Sequence, residues 1–163
     1  MTMYPDRVGV RWGGVSTGAR VAGFLGLAPF GLALLCVTVG ASQGYLEFGR
    51  QLAIAWGAVI LTFVAAVHWG LALAGRWQWS LSTIVGSTLP SVIGALAVLL
   101  GSERSIALLV AGFGLFWLFE HRTRGAELPG DYLALRRALT LGACTLLVVV
   151  AFAAAEATAG SIR

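Results

Sequence analysis

The 163-residue chain contains no lysine; all eleven of its basic residues are arginine. It is also poor in acidic residues, with seven, and in histidine and cysteine, with two each. Guanidinium groups bind phosphate and carboxylate in bidentate fashion, but the codon bias of a GC-rich bacterial genome replaces lysine with arginine equally well and without a functional reason. Charged residues make up 11% of the chain, against roughly 25% in an average soluble domain. The net charge of +4 is spread over the polar segments and forms no stripe, which argues against a nucleic-acid partner.

Catalytic signatures are missing as well. There is no nucleotide-binding glycine loop, no His-Glu-x-x-His, no Cys-x-x-Cys and no Gly-x-Ser-x-Gly, so the chain reads as a non-enzyme with no implied cofactor. Cys36 and Cys144 lie in separate apolar segments, at depths about 15 Å apart by helical rise. A disulfide needs Cα atoms within about 7 Å, so both are expected as free thiols.

What the chain has in abundance is apolar sequence: 58% of its residues are hydrophobic and the mean hydropathy is +0.87. This surface exceeds what a soluble protein of the size could bury. A tail over residues 1–20 precedes a transmembrane domain over 21–157 and a short tail over 158–163. Spans are expected at 21–40, 52–74, 81–100, 105–121 and 139–156, because about 20 apolar residues cross a 30 Å hydrocarbon core. The first run is too long for the core of a signal peptide, about 7 to 15 residues. The fourth, apolar only over 106–119, must recruit Ser105 at one end and Glu120 or His121 at the other. Strands are excluded because no run alternates as a closed barrel requires and lipid cannot satisfy an open sheet. The expected fold is therefore all-α, a polytopic bundle of about five transmembrane helices whose first partner is the lipid bilayer.

Arginine placement sets the expected orientation. Arg7, Arg11, Arg20, Arg76, Arg122, Arg124, Arg136 and Arg137 fall on one side, and Arg50, Arg104 and Arg163 on the other. By the positive-inside rule the N-terminus lies inside and the C-terminus outside. Small residues four apart, Ala66, Gly70 and Ala74 in the second span and Ala22 with Gly26 in the first, form ridges suited to close helix contact. Pro29 and Pro90 lie within spans and free backbone carbonyls that a neighbouring group can approach.

One ionisable group sits deep in a span. His68 lies eight residues, about 12 Å, inside the Arg76 boundary, a position that costs free energy and points to function. The plain alternative is a neutral imidazole hydrogen-bonded to a hydroxyl or freed carbonyl across a helix contact. A bis-histidine haem with His121 is disfavoured, since both imidazoles would have to face one flat cavity. Around the same depth, Thr83, Ser87 and Ser91 recur every four residues, and the inner ends of other spans contribute Trp69, Trp117, Glu120, Tyr132, Arg136, Thr140 and Cys144.

The candidate cluster is thus His68, Trp69, Ser87, Pro90, Ser91, Trp117, Tyr132 and Arg136. A cavity there, open to the inner leaflet, suits an amphiphile such as a quinone or phospholipid. The competing explanations are serine and threonine bonded back to their own helix and aromatic anchoring at the interface. Arg136 is expected to pair with Glu120 or Asp131 in preference to a lipid phosphate.

Several strings carry a resemblance: Gly23-Phe24-Leu25-Gly26-Leu27-Ala28-Pro29-Phe30, Ile60-Leu61-Thr62-Phe63, His68-Trp69-Gly70-Leu71-Ala72 and Leu89-Pro90-Ser91, then Leu128-Pro129 with Tyr132, Leu135, Arg136, Leu139 and Thr140. In order and spacing they resemble the bacterial relatives of transmembrane protein 69, a family classed as a domain of unknown function. The likeness runs over residues 23–151. The family pattern has a glycine pair ahead of His-Trp-Gly and aromatics after Pro-Ser, where this chain has Ala65-Ala66 and Val92-Ile93-Gly94. The resemblance implies a small inner-membrane protein, bacterial or mitochondrial, and brings no catalytic residues. Three readings follow: an accessory or assembly component of a larger membrane complex, a protein that binds or shuttles a quinone or lipid, and a small-solute transporter completed by self-association.

Overall fold

The computed structural model describes residues 14–39 and 44–160. The tail charges Asp6, Arg7 and Arg11 and the terminal Arg163 lie outside them, as does Gly40 at the end of the first apolar run. The described chain is all helical: α1 (Thr17–Leu25), α2 (Ala28–Thr38), α3 (Leu46–Leu73), α4 (Leu81–Leu100), α5 (Glu103–Arg124) and α6 (Gly130–Gly160). α1 and α2 together make one span, so five helical spans are long and apolar enough to cross a membrane.

The helices outrun the apolar segments that announced them. α3 begins six residues before the apolar run at Leu52, carrying Glu47 and Arg50 in its first turns, and α6 begins nine residues before Leu139. At 1.5 Å per residue α3 and α6 extend about 42 and 46 Å, more than the hydrocarbon thickness, so their polar ends project into the headgroup region or the helices tilt. A helix does not stop where hydropathy falls, because its backbone bonds are indifferent to side-chain polarity. It stops at caps. Gly101, at φ +55°, closes α4, and Ser102 with Ser105 forms a reciprocal capping box on α5.

The first span breaks at Gly26 and Leu27, just ahead of Pro29 in the first turn of α2. Proline has no N–H for the carbonyl four residues back. Across the break the Trp56 indole donates to the Gly26 carbonyl at 2.9 Å, so a side chain from α3 supplies a donor where the first span is interrupted.

Packing runs in a closed order, α2 against α3, α3 against α4, α4 against α5, α5 against α6 and α6 back against α2, with α3 also touching α5 and α6. The core is built from Phe30, Leu61, Leu109, Phe113 and Leu147 with many alanines between them. Gly94 lets α4 approach α3: a Cβ there would stand 3.1 Å from the Ala58 carbonyl oxygen. Outward, large apolar side chains such as Phe63, Leu81, Leu99 and Phe152 are at least two-thirds exposed, the distribution of a protein solvated by lipid. The small-residue ridge of α3 also faces out. Ala66, Gly70 and Ala74 are exposed, and nothing lies within 4 Å of a Cβ at Gly70.

Polar composition divides the two ends of the bundle. The end formed by the start of α1, the α3–α4 turn and the α5–α6 turn carries Arg20, Arg76, Arg122, Arg124, Arg136 and Arg137; the described residues of the other end carry Arg50 and Arg104.

Candidate functional site

The arginine-rich end encloses a buried polar cluster. Glu120, near the end of α5, and Arg136, in the second turn of α6, form an ion pair at 3.0 Å through the arginine Nε. Both are sequestered, at 1% and 7% exposure. Four residues before each lie Phe116 and Tyr132, hence on the same helical faces. The Arg136 guanidinium stands 5.4 Å over the Phe116 ring, a cation–π arrangement.

His68, on α3, packs edge-on against that same Phe116 ring at 5.3 Å and is further enclosed by Trp77 at 5.0 Å and Phe119 at 6.2 Å. Trp77 reaches it because Gly75, at φ +68°, turns the chain sharply after α3. On α4, Gly86 leaves room for the Phe119 ring that encloses the imidazole: a Cβ there would lie 2.6 Å from Phe119 Cε1. Pro90, one turn on, lacks the N–H that would hold the Gly86 carbonyl.

Burial is complete at His68, yet neither ring nitrogen has a hydrogen-bond partner among the described residues. The Ala65 carbonyl one turn back faces the ring without meeting hydrogen-bonding geometry. Two further buried atoms share this condition, the second carboxylate oxygen of Glu120 and the Tyr132 hydroxyl. Buried polar atoms are nearly always paired, at a cost of about 1–3 kcal/mol when they are not. All four fully buried, unpartnered side-chain atoms of the described residues therefore gather at one end of the bundle, within the fields of Arg136 and its neighbours.

Beside the cluster a second knot leaves no buried side-chain atom without a partner. Arg124 donates from Nη2 to the Thr83 hydroxyl at 2.9 Å, with Ser80 and Ser82 at 3.4 Å, and sits 4.7 Å over Trp77. Its Nη1 pairs with Glu127 at 3.2 Å. The knot ties the last turn of α5 to the first turn of α4 and holds Trp77 against His68.

The structure separates the eight residues singled out from sequence. His68, Tyr132 and Arg136 belong to the cluster, and Pro90 borders it. Trp69 is 54% exposed and, with Ser87 and Ser91, lines an outward groove of about 560 Å³ between α3 and α4. The hydroxyl stripe is accordingly split: Thr83 turns inward to Arg124, whereas Ser87 bonds back to the Ile84 carbonyl. Trp117 stacks on the exposed His121 at 5.5 Å, an environment distinct from that of buried His68. Of the two partners open to Arg136, Glu120 is the one found; Asp131 instead accepts from the Val15 amide and ties the segment before α1 to α6. Cys36 and Cys144 are free.

Phe116, Phe119, Trp77 and Arg124 escaped sequence reasoning. The i, i+4 relation of Phe116 to Glu120 was available as a signal, but the 41-residue separation of Thr83 and Arg124 offered none.

These features define a polytopic helical membrane protein with a buried, incompletely satisfied polar cluster at its arginine-rich end. The model for the family described as Protein of unknown function (DUF3429) matches residues 15–152, and the chain belongs to that family. No curated protein and no solved structure matches the chain. The matched stretch contains every member of the cluster.

Proposed function

We propose that the protein is a non-catalytic integral membrane protein that holds the polar head of a membrane-dissolved amphiphile, a quinone or lipid, at the cluster of His68, Glu120, Tyr132 and Arg136. The observation that carries this reading is the set of four buried side-chain atoms left without partners. They comprise donors and acceptors of a kind that a head with both functions, as in a reduced quinone or a hydroxyl-bearing lipid, would satisfy. A site built only for stability would be better served by apolar residues, since a buried ion pair seldom outperforms them.

In this reading the arginine-rich end faces the cytoplasm by the positive-inside rule, and the membrane is the bacterial inner membrane or, in a eukaryote, the mitochondrial inner membrane. The likeness to the relatives of transmembrane protein 69 supports that location. The reading is tested by extracting lipids from protein purified in mild detergent. Wild type should retain one amphiphile in stoichiometric amount and His68→Phe should lose it; a wild-type extract that mirrors the bulk membrane lipids would overturn it.

A second reading, an accessory or assembly component that packs beside a larger membrane complex, is favoured by the outward ridge of Ala66, Gly70 and Ala74, which this chain leaves uncovered. Gly70→Leu would then displace a co-purifying membrane protein while leaving the retained amphiphile in place; an unchanged set of co-purifying proteins would remove that reading.

A further inference from the structure

Next to the polar cluster a narrow cleft of about 100 Å³ opens between α1, α3 and α6, lined by Gly23, Gly26, Phe63, Val64, Arg136 and Thr140 among others. Its walls are apolar except for Arg136 and Thr140, both from α6. These stand four apart, so they share one helical face.

Arg136 uses only its Nε in a hydrogen bond, to Glu120; its terminal nitrogens make none among the described residues, and its side chain keeps 9% exposure. Thr140 is similarly uncommitted. A helical threonine commonly bonds back to the carbonyl four residues earlier, as Thr38, Thr123 and Thr158 do here at 2.7–2.9 Å. Thr140 makes no such bond. Thr62 and Thr88 share that feature on the outward α3–α4 groove, but no charged group lines that groove. Of these three threonines, only Thr140 lies one turn from an arginine with unused donors.

The charge at the site selects the ligand. Arg136 is already neutralised by Glu120, whose second oxygen has no partner. An anionic head brought to Arg136 would meet that carboxylate, whereas a neutral carbonyl would accept from the arginine and threonine donors without repulsion. The cleft is too small for two chains side by side. We propose that it takes the single tail of a neutral, carbonyl-headed lipid, of the prenylquinone or monoacylglycerol kind, with the head carbonyl held by Arg136 and Thr140. This rests on the amphiphile-binding reading above and adds the ligand class and its route of entry.

The test uses the full chain in nanodiscs with a quinone carrying a ten-carbon tail that bears a diazirine, and maps the labelled peptides by mass spectrometry. Saturable label is expected on residues 22–27 and 139–143, lowered at least tenfold in Thr140→Phe, which fills the cleft, and severalfold in Thr140→Val, which removes only the hydroxyl. Decylubiquinone or monoolein should compete, and whichever competes at the lower concentration identifies the kind of head. Oleoyl lysophosphatidylglycerol should compete at least tenfold less well. Equal or better competition by the anionic lipid, or saturable label on residues 89–93 and 115, which border a separate apolar cleft of about 180 Å³ between α4 and α5, would overturn this proposal and leave amphiphile binding standing. Absence of saturable label together with an undistinguished lipid extract from wild type would remove both. The competition series needs no variant, so a misfolded Thr140→Phe would not shield the idea.

Discussion

Two glutamate–arginine pairs of nearly equal length occupy opposite ends of the bundle. Glu47 and Arg50, at 2.8 Å, lie three residues apart on the first turns of α3, with the glutamate side chain 56% exposed. Glu120 and Arg136, at 3.0 Å, join two helices and are almost wholly buried. The first pair is bidentate, with Gln51 adding a further bond to the carboxylate. The second is held by one hydrogen bond and leaves capacity unused on both partners. An end that needs only a soluble cap satisfies its charges locally, in water and headgroups. The arginine-rich end carries charges into an apolar environment and does not finish pairing them, which is why function is assigned there.

The largest expected effect comes from breaking the buried pair. Arg136→Ala should destabilise the protein by about 3–5 kcal/mol, since it strands a carboxylate in the bundle. Unfolding by denaturing detergent, followed by circular dichroism, measures it, and a loss below about 1 kcal/mol would put the pair on a par with Glu47 and Arg50.

Next in size is a substitution at the opposite end. A Cβ at Gly49 would lie 2.8 Å from the Ala33 carbonyl oxygen, from Cys36 Cβ and from Val37 Cγ1, so Gly49→Val should cost about 1–3 kcal/mol through overpacking of α3 on α2. Ligand retention in the surviving folded fraction should be unchanged. Loss of the amphiphile in that variant would mean that the two ends are coupled.

His68→Phe sharpens the contrast in the other direction. The imidazole makes no hydrogen bond among the described residues and is surrounded by aromatic rings, so stability should change by less than about 1.5 kcal/mol while the bound amphiphile is lost. A large loss of stability would show that the imidazole is needed for the fold. Smallest of all, Glu47→Ala should shift stability by about 0.5 kcal/mol, as exposed pairs do, and a shift several times larger would erase the difference between the ends.

The fold was legible because apolar runs of sufficient length have few alternatives, and the number of spans, though not the break of the first into α1 and α2, follows from them. Boundaries were less so, because Glu47 and Arg50 ride on a helix whose apolar stretch begins only at Leu52, and the backbone carries on regardless. In the cluster, depth pointed to His68, and helical spacing tied Tyr132 to Arg136. Sequence could not tell which face of α4 turns inward. Ser87 and Ser91 share a stripe with Thr83, yet only Thr83 meets Arg124, since the register of one helix against another is set by contacts such as Gly94 on Ala58. Nor could it foresee that His68 would find rings in place of hydroxyls: Trp77 arrives through a glycine turn and Phe116 through the packing of α5 on α3.

The most direct test of the account is the thermal unfolding of wild type and of Glu120→Leu/Arg136→Met in the same detergent, each with and without the extracted amphiphile. If the cluster exists for binding, the apolar double variant melts at or above the wild-type temperature and ignores the amphiphile, whereas wild type is stabilised by it in proportion to ligand occupancy. A double variant that melts far below wild type, with neither protein responding to the amphiphile, would contradict the account and make the buried pair a structural strut.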